Sequence, residues 1–526
     1  MDTKKLRQKI LDLAIRGKLV PQDPNDEPAS VLLERIREEK KQMVKDGKLK
    51  PKDIKNDTII FKGEDNLHYE KFQDGTVKCI EDEIPFDVPD GWEWCRLECI
   101  CPYGETETVD SSEIDDDSWI LDLEDIEKET GRIVYFATKG EREAKSNKHR
   151  FFAGQLLYSK LRPYLNKVVI APRDGFCTSE ILPLKLYGSI SPEYMQCFLM
   201  SDTFLAYVNL ISYGLKMPRL GTNDGKNAVI ALPPLEEQTR IVEKCHNAFE
   251  KIYTLQSDVD VLENVINLSK FKILDLAIQG KLVPQDLNDE PASVLLDRIR
   301  SEKEELIKQG KLKRDKKESI IYKGDDNSYY EKISDGTISC IDADLPFEIP
   351  YSWAWERLRN LFIINPKNNA DDNTPVSFIP MALLEDGFSG NYTYEKKLWK
   401  ECKKGFTHFA VGDVCFAKIS PCFENRKSAY FKELSNNMGS GTTELYVLRR
   451  YTNDIMGEYL LSFLKSEYFI SRGNNTFSGV VGQQRVDKEI MLDTFIPIPP
   501  SQEQLRINNI LGKLFSELKN IEDSIK

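Results

Sequence analysis

Residues 9–40 read KILDLAIRGKLVPQDPNDEPASVLLERIREEK, and residues 272–303 read KILDLAIQGKLVPQDLNDEPASVLLDRIRSEK. The second stretch repeats the first almost unchanged at an offset of 263 residues, which is half of the 526-residue chain. Self-similarity over so long a period indicates a chain built from structural repeats. The sequence therefore predicts two similar units, each containing one copy of this stretch.

The composition is that of a soluble globular protein, with 40% hydrophobic and 30% charged residues. No apolar run is long enough to cross a membrane, and the charged, amphipathic first segment is unlike a signal peptide. Eleven cysteines without secretory features predict reduced thiols in a cytoplasmic protein. The spacing of Cys95, Cys99 and Cys101 differs from a zinc motif, which favours ordinary buried thiols.

The repeated stretch predicts a helix, a proline-containing loop and a second helix. Apolar residues at helical spacing indicate the first helix over residues 4–16, and Gly17 marks its end. Ser30 is expected to cap the second helix, which Gly47 closes. The proline pairs 233–234 and 499–500 each open a further helix, where proline suits the first turn. In the second of these, Ser501 and Gln504 have capping-box spacing.

The helix after Pro234 has apolar residues at alternating steps of four and three over residues 241–276. This heptad pattern predicts pairing with another helix, and residues 507–525 repeat it. Alignment of the repeats makes the C-terminal and N-terminal helices two parts of a second long helix. We therefore predict two domains joined by two long antiparallel coiled-coil helices in a circular, pseudo-two-fold arrangement. The alternative is a tandem duplication whose halves pack independently.

Between the repeated segments, residues 98–216 and 360–482 have the same outline of short strands and one helical stretch, but little identity. Closely repeated segments around diverged cores indicate one task performed on two different targets. The predicted fold class is α+β, with two mixed α/β recognition domains. The predicted segments are a helical region 1–55, a first domain 56–234, a central helical region 235–317, a second domain 318–500 and a C-terminal helix 501–526.

Familiar catalytic motifs are missing from the sequence. It has no phosphate-binding loop, no amino-methyltransferase motif and no nucleophile elbow, and its four histidines match no metal spacing. Carboxylate pairs are plentiful but lie in acidic runs that are typical of a solvated surface. We therefore expect a chain without catalytic residues, metal ligands or cofactor of its own.

Positive charge is concentrated at two equivalent places in an otherwise acidic chain of net charge −13. Residues 139–173 hold nine lysines and arginines against two carboxylates, and residues 394–432 hold nine against four. A single basic run is usually a solvated face. Two runs at matching positions favour nucleic-acid binding, because basic side chains contact phosphates and polar side chains read base edges.

Particular sequence motifs resemble the DNA-specificity subunit of type I restriction–modification enzymes over essentially the whole chain. They are GQLLYSKLRPYLNKVVIA and CTSEI in the first core, GDVCFAKISPCFENRKSAY and GSGTTEL in the second, the helix starts PPLEEQTRIV and PPSQEQLRI, and the repeated KLVPQD. The first core has Gln155 where the family usually has aspartate, at what the sequence indicates is a turn.

The resemblance implies that each core is a target-recognition domain for one half of a split, asymmetric site in double-stranded DNA. The paired helices would set the spacing between half-sites and dock two modification subunits. Those partners would bind S-adenosylmethionine and methylate adenine N6, while restriction subunits using ATP and magnesium would cut unmodified DNA. No membrane partner is expected. The alternative function is a stand-alone bipartite DNA-binding protein or a scaffold without a restriction partner.

The loops that carry the resemblance also supply the predicted DNA contacts. These are Lys160, Arg162, Tyr164, Asn166 and Lys167 in the first domain and Lys418, Ser420, Asn425, Arg426 and Lys427 in the second. The alternative is that both loops are conformational turns shaped by their prolines. Residues 178–180 and 442–444 are expected to hold the fold.

Overall fold

The computed structural model of the chain describes residues 2–142, 145–214, 216–479 and 484–525. It divides into two compact units, Met1–Asp258 and Val259–Lys526. Each unit has its own hydrophobic core, so the predicted organisation into two similar mixed domains is confirmed. Met1 and Lys526, whose proximity the circular arrangement requires, lie outside the described residues, as does Glu143 of the first basic run.

The first unit contains short strands between two helical regions. Its helices are α1 Thr3–Ile15, α2 Ala29–Lys45, α3 Leu97–Ile100, α4 Lys139–Arg142, α5 Pro192–Leu199, α6 Asp202–Ile211, α7 Thr222–Asn227 and α8 Leu235–Ile278, which continues into the second unit. Its strands are β1 Ile59–Lys62, β2 His68–Lys71, β3 Val77–Cys79, β4 Glu93–Arg96, β5 Thr108–Val109, β6 Trp119–Leu121, β7 Ala137–Thr138, β8 Lys148–Phe151, β9 Leu156–Ser159, β10 Val168–Ile170, β11 Gly175–Cys177, β12 Ile181–Leu184 and β13 Val229–Leu232.

The second unit repeats this order of elements. Its helices are α9 Ala292–Lys308, α10 Leu358–Leu361, α11 Trp399–Cys402, α12 Gly457–Leu464, α13 Glu467–Asn474, α14 Lys488–Leu492 and α15 Ser501–Ile525. Its strands are β14 Ser319–Lys323, β15 Tyr329–Ile333, β16 Ile338–Cys340, β17 Ala354–Arg357, β18 Phe362–Ile364, β19 Pro375–Ile379, β20 Glu395–Leu398, β21 Thr407–Ala410, β22 Val414–Ala417, β23 Ser428–Tyr430, β24 Met438–Gly441, β25 Leu445–Arg450 and β26 Phe495–Ile498.

The two diverged cores share one strand order, to which the first unit adds β5 in one sheet and the second unit adds β18 in the other. One sheet has the order β7-β6-β11-β8-β5 in the first unit and β20-β19-β24-β21 in the second, each with one parallel pair. A second antiparallel sheet contains β10-β9-β12 in the first unit and β18-β25-β22-β23 in the second. Buried aliphatic and aromatic side chains fill the space between them, so apolar patterning preserves the fold where the remaining residues differ.

Antiparallel helix pairs occur inside each unit, as predicted. In the first unit Thr3 lies beside Gln256, and the Arg7 guanidinium stacks on Phe249, so α1 runs opposite to the first half of α8. In the second unit Lys270 of α8 pairs with Glu522 at 3.0 Å, near the end of α15. The seam is discontinuous, because Leu255 is 45% exposed.

The repeated KLVPQD loop is fixed to the start of α8 in the first unit. Gln22 donates to the Glu237 carboxylate at 3.1 Å, and the Trp92 indole donates to it at 2.9 Å. Arg240, one turn further along, pairs with Asp26 at 2.5 Å. Burial raises the pKa of Glu237, and these donors oppose the rise. The loop therefore has a structural role in closing the unit.

The second unit contains the same arrangement at the start of α15. Gln285 donates to Glu503 at 2.6 Å, and Arg506 pairs with Asp289 at 2.5 Å. Burial likewise raises the pKa of Glu503, while the hydrogen bond from Gln285 lowers it. Because these contacts form in both units, the two loops need nearly the same sequence.

Three local predictions were wrong. The second helix begins at Ala29 after Pro28, so Ser30 lies inside it and caps nothing. Gln504 makes no capping box: its amide donates to the Pro499 carbonyl and accepts from Met456 N–H, which ties α15 to the core. The single helical stretch expected in each core is two helices, because Ser201 and its counterpart Ser466 each cap a new helix with the hydroxyl.

Cys95, Cys99 and Cys101 are all buried in the core of the first unit. Cys95 donates to the Ile230 carbonyl and Cys99 to the Thr58 carbonyl, while burial raises the pKa of Cys101 to about 12. Across the described parts of the chain, acidic, cysteine and histidine side chains form no group suited to a metal ion. No helix among those residues has both the length and the apolarity needed to cross a bilayer.

Candidate nucleic-acid interface

The loop between β9 and β10 is held by backbone hydrogen bonds from three directions. Lys160 N–H donates to the Glu180 carbonyl at 3.0 Å, and Leu220 N–H donates to the Lys160 carbonyl at 3.0 Å. Arg162 N–H donates to the Pro218 carbonyl at 2.7 Å and has a left-handed backbone, with φ of 48°. An arginine in this region is strained, which indicates that its surroundings fix the loop.

A carboxylate with two basic neighbours lies beside this loop. The Arg219 guanidinium donates to both oxygens of Glu180, with the shortest contact at 2.7 Å. These hydrogen bonds lower the pKa of Glu180, and the nearby Lys160 charge contributes to the same shift. We call Lys160, Glu180 and Arg219 the first triad.

The loop between β22 and β23 has the same construction. Lys418 N–H donates to the Glu444 carbonyl at 2.9 Å, and Val486 N–H donates to the Lys418 carbonyl at 3.0 Å. Arg485 binds the Glu444 carboxylate through two nitrogens, at 2.9 and 2.8 Å. These bonds lower the pKa of Glu444, with a smaller contribution from Lys418. Lys418, Glu444 and Arg485 form the second triad.

Lys160, Arg162 and Tyr164 have accessible side chains in the first loop. Tyr164 and Arg162 are exposed, and Lys160 is half-buried. Within the described ranges, neither the Lys160 ammonium nor the Arg162 guanidinium has an ion-pair partner. Both charges can therefore reach an external anion. That these three residues contact DNA stays a prediction.

Asn166 and Lys167 have internal partners instead. Asn166 is 2% exposed, and its amide donates to the Met200 carbonyl at 2.7 Å. The Lys167 ammonium donates to the Leu123 carbonyl at 2.5 Å, and burial lowers its pKa. Both side chains hold the loop to the domain, so their contribution to DNA binding is predicted to be indirect.

The second loop shows the same division. The Lys418 ammonium lies 5.3 Å from the centre of the Tyr446 ring and forms no ion pair within the described segments. Lys427 donates to the Met381 and Leu384 carbonyls, and Arg426 pairs with Glu467 at 2.6 Å while stacking on Phe271. These two basic residues therefore stabilise the domain.

Two further predicted contacts of the second loop, Ser420 and Asn425, remain at the surface. The Ser420 hydroxyl is half-buried and donates to Glu424 at 2.7 Å. Asn425 is exposed, and its N–H donates to the Pro421 carbonyl. Either side chain can still offer a polar group to a ligand.

The linear charge count overstates the basic surface. In the first run Arg142 pairs with Asp122, Glu124 and Asp125, and Lys148 is buried. In the second run, Lys403 pairs with Asp372 and Lys432 with Glu458. Acidic side chains distant in sequence neutralise these positions, which a count along the chain cannot reveal.

Part of this chain matches a described protein family. The sequence model of the family described as "Type I restriction modification DNA specificity domain" matches residues 364–526, a range that includes the second loop and its triad. This match covers less than half of the chain. The first unit repeats the topology and triad of the matched region, which extends the resemblance to both units.

The proteins that this chain resembles include specificity subunits from Escherichia coli. The chain is 47% identical to the type I restriction enzyme EcoAI specificity subunit over 251 residues, which cover 48% of this chain and 39% of the relative. It is 43% identical to the EcoEI specificity subunit over 243 residues, which cover 46% of this chain and 38% of the relative. The matches thus span about two fifths of each relative.

A solved structure from a type I R-M system has a similar fold. The structure, described as showing "complex assembly and conformational transition of the type I R-M system", aligns with a TM-score of 0.53 at 19% identity. The alignment covers 84% of this chain and 94% of that one. At this identity the likeness concerns the fold alone.

Sequence reasoning missed two residues of this candidate site, Arg219 and Arg485. Each residue begins a segment that is repeated in the other unit, and the two arginines are 266 residues apart. Their pairing with Glu180 and Glu444 spans about 40 positions along the chain. The available signal was that both partners recur at similar offsets, Arg219 as Arg485 and Glu180 as Glu444.

Proposed function

We propose that this chain is the DNA-specificity subunit of a type I restriction–modification complex. Each unit reads one half of a bipartite, asymmetric site in double-stranded DNA, and the long helices set the distance between half-sites. The observation that carries the proposal is the triad, which recurs in two cores of shared strand order and different surface.

The triads suit the positioning part of DNA recognition. Lysine and arginine beside a single carboxylate leave net positive charge at a rigid loop, and such groups bind phosphate and fix register on the duplex. Different neighbours of the triads then offer different groups to base edges. Arg162 and Tyr164 stand in the first loop where Ser420 and Cys422 stand in the second.

The proposed partners supply the chemistry. Two modification subunits would bind S-adenosylmethionine and methylate adenine N6, and restriction subunits with ATP and magnesium would cleave unmodified DNA. The relatives' names identify specificity subunits of restriction enzymes, which supports a non-catalytic role for this chain.

The decisive experiment reconstitutes the chain with its modification subunits and maps the adenines that are methylated. A bipartite target is expected. DNA affinity is then measured over a range of salt concentrations for Lys160→Ala, Lys418→Ala and the double variant. Each single change should weaken binding roughly tenfold at physiological salt and reduce the slope of log affinity against log salt by about one.

Lys185→Ala is the matched control, because Lys185 is an exposed lysine of the first unit outside both triads. It should leave affinity and salt slope unchanged. Specific, tight binding by the isolated chain with no response to modification subunits would instead indicate a stand-alone DNA-binding protein. Unchanged binding by the double lysine variant would refute the assignment of the loops.

A further inference from the structure

Each unit carries a small three-stranded sheet whose outward face has the same composition. Strand register places Phe61 beside Tyr69 and Tyr69 beside Cys79, while Lys71 lies between Ile59 and Val77. The second sheet repeats this register with every position shifted by 261 residues. Its corresponding face residues are Ile320, Tyr322, Tyr330, Lys332, Ile338 and Cys340. We call these sets the first and second sheet faces.

Both sheet faces expose large apolar side chains to solvent. Ile59, Phe61 and Val77 are 39–48% exposed, and their counterparts are 40–54% exposed. The aromatic pair stacks with ring centres 5.9 Å apart in each face. Contiguous exposed apolar patches commonly mark protein interaction sites.

The opposite side of each sheet is anchored firmly in its unit. In the first unit, Arg96 donates to both oxygens of Glu70 at 3.0 and 2.7 Å, and both side chains are buried. In the second, Arg357 donates to both oxygens of Glu331 at 2.6 Å. A sheet fixed in this way presents a preformed surface, which reduces the entropy lost on binding.

The charges around the faces favour a protein over a nucleic acid. Apart from the buried Glu70 and Glu331, residues 59–83 contain three lysines and six carboxylates, and residues 320–344 contain two lysines and five. Such acidic rims repel phosphate. At the centre of each face, Lys71 and its counterpart Lys332 form no ion pair within the described residues. A complementary surface is therefore apolar, with a carboxylate facing this lysine and basic groups at its edge.

We propose that the two sheet faces each bind one copy of the modification subunit. The proposal rests on the proposed function, which requires two copies of that partner. The two faces have similar composition, although the recognition cores of their units differ. Such a pair of faces fits two copies of one protein. They also belong to the closely repeated part of the chain, as do the helices expected to dock the same subunits.

Thiol reactivity provides a direct test, because Cys79 and Cys340 lie on the faces and are the exposed cysteines of the described chain. The isolated chain and the complex with modification subunits are treated with N-ethylmaleimide, and labelling of each cysteine is followed by peptide mass spectrometry. Both thiols should react readily in the isolated chain and at least tenfold more slowly in the complex.

A variant should separate the two faces. Tyr322→Glu places a charge on the second face only, so native mass spectrometry should show one bound modification subunit where wild type binds two. Phe61→Glu with Tyr322→Glu should bind neither at the same concentration. Tyr351→Glu is the matched control, since this tyrosine is 97% exposed and lies outside both faces, and it should bind two.

The outcomes distinguish the two proposals. A complex with two modification subunits in which both thiols keep their free reactivity overturns the sheet-face assignment and leaves the proposed function intact. Failure of any complex to form overturns both. Protection that requires the restriction subunit or DNA, or that arises from self-association of the isolated chain, overturns the choice of partner.

Discussion

The two units differ in their recognition cores far more than in the segments around them. The repeated segments share specific contacts, as Gln22 with Glu237 and Gln285 with Glu503 demonstrate. The cores match in strand order and in one triad, while neighbouring side chains differ. The comparison teaches that strand order needs only apolar patterning and a few polar pairs, which leaves the loop surfaces free to diverge.

The loops illustrate this difference at single positions. Beside equivalent lysines and prolines, the first loop has Arg162 and Tyr164, whereas the second has Ser420 and Cys422. The first loop therefore presents a cation and an aromatic ring where the second presents a hydroxyl and a thiol. Predictions about each unit test how far their structural equivalence extends.

The largest expected effect comes from breaking the buried ion pair beneath the second sheet. Burial opposes ionisation of Glu331, but hydrogen bonds from Arg357 outweigh it and lower the pKa of the carboxyl. Arg357→Ala leaves this charge buried without its partner, which should destabilise the second unit by about 3–5 kcal/mol. Urea denaturation followed by tryptophan fluorescence measures the change.

Two variants define the origin of that loss. Adding Glu331→Gln to Arg357→Ala should recover part of the stability, because the unpaired charge is removed. Arg96→Ala should produce the equivalent loss in the first unit. A loss below about 1 kcal/mol for Arg357→Ala would mean that the pair behaves as a solvated surface bridge.

The next largest effect concerns the loops. Arg162→Ala should weaken DNA binding by the assembled complex roughly tenfold, since a potential phosphate or base contact is lost. Ser420→Ala should have a much smaller effect, because it removes no charge. Affinity measurements on DNA with either half-site altered provide the readout. Equal effects of both variants would contradict the proposed division of chemistry between the loops.

Much of the fold was predictable because its signals are local. Apolar spacing located the helices, and the repeat revealed two units. Strand pairing was not predictable: β6 and β11 are adjacent and parallel although more than 50 residues separate them. Their short sequences contain no information about which of many possible partners each strand selects.

The candidate site was only partly predictable for a related reason. Lys160 and Lys167 look equivalent in the sequence, yet the Lys167 ammonium donates to a backbone carbonyl inside the domain. Likewise Asn166 is a polar residue in a basic loop, but its side chain is buried. The direction of a side chain depends on the packing around it, which sequence spacing does not specify.

A smaller effect should appear in the pH dependence of stability. Burial raises the pKa of Glu503 above its unfolded value, with the hydrogen bond from Gln285 opposing the rise. As pH rises through the window between these two values, the unfolded chain loses its proton first, so stability falls. Glu503→Gln should remove this fall, and urea midpoints across that window measure it.

Glu331 supplies the opposite sign in the same unit. Its folded pKa is lowered, so its contribution is present above the unfolded pKa and is lost as pH falls. Glu331→Gln should therefore flatten the acid side of the profile. If both variants changed the profile in the same direction, the burial or pairing assigned to one carboxyl would be wrong.

The smallest effect tests whether the repeated loop contacts are truly equivalent. Arg240 and Arg506 each contact both oxygens of an aspartate through two nitrogens, and each arginine is about one third exposed. Lysine keeps the charge but cannot reproduce this fork, so Arg240→Lys and Arg506→Lys should each lower stability by less than about 1 kcal/mol. Losses that differ between the two variants by more than this would show that identical loop sequences experience different surroundings in the two units.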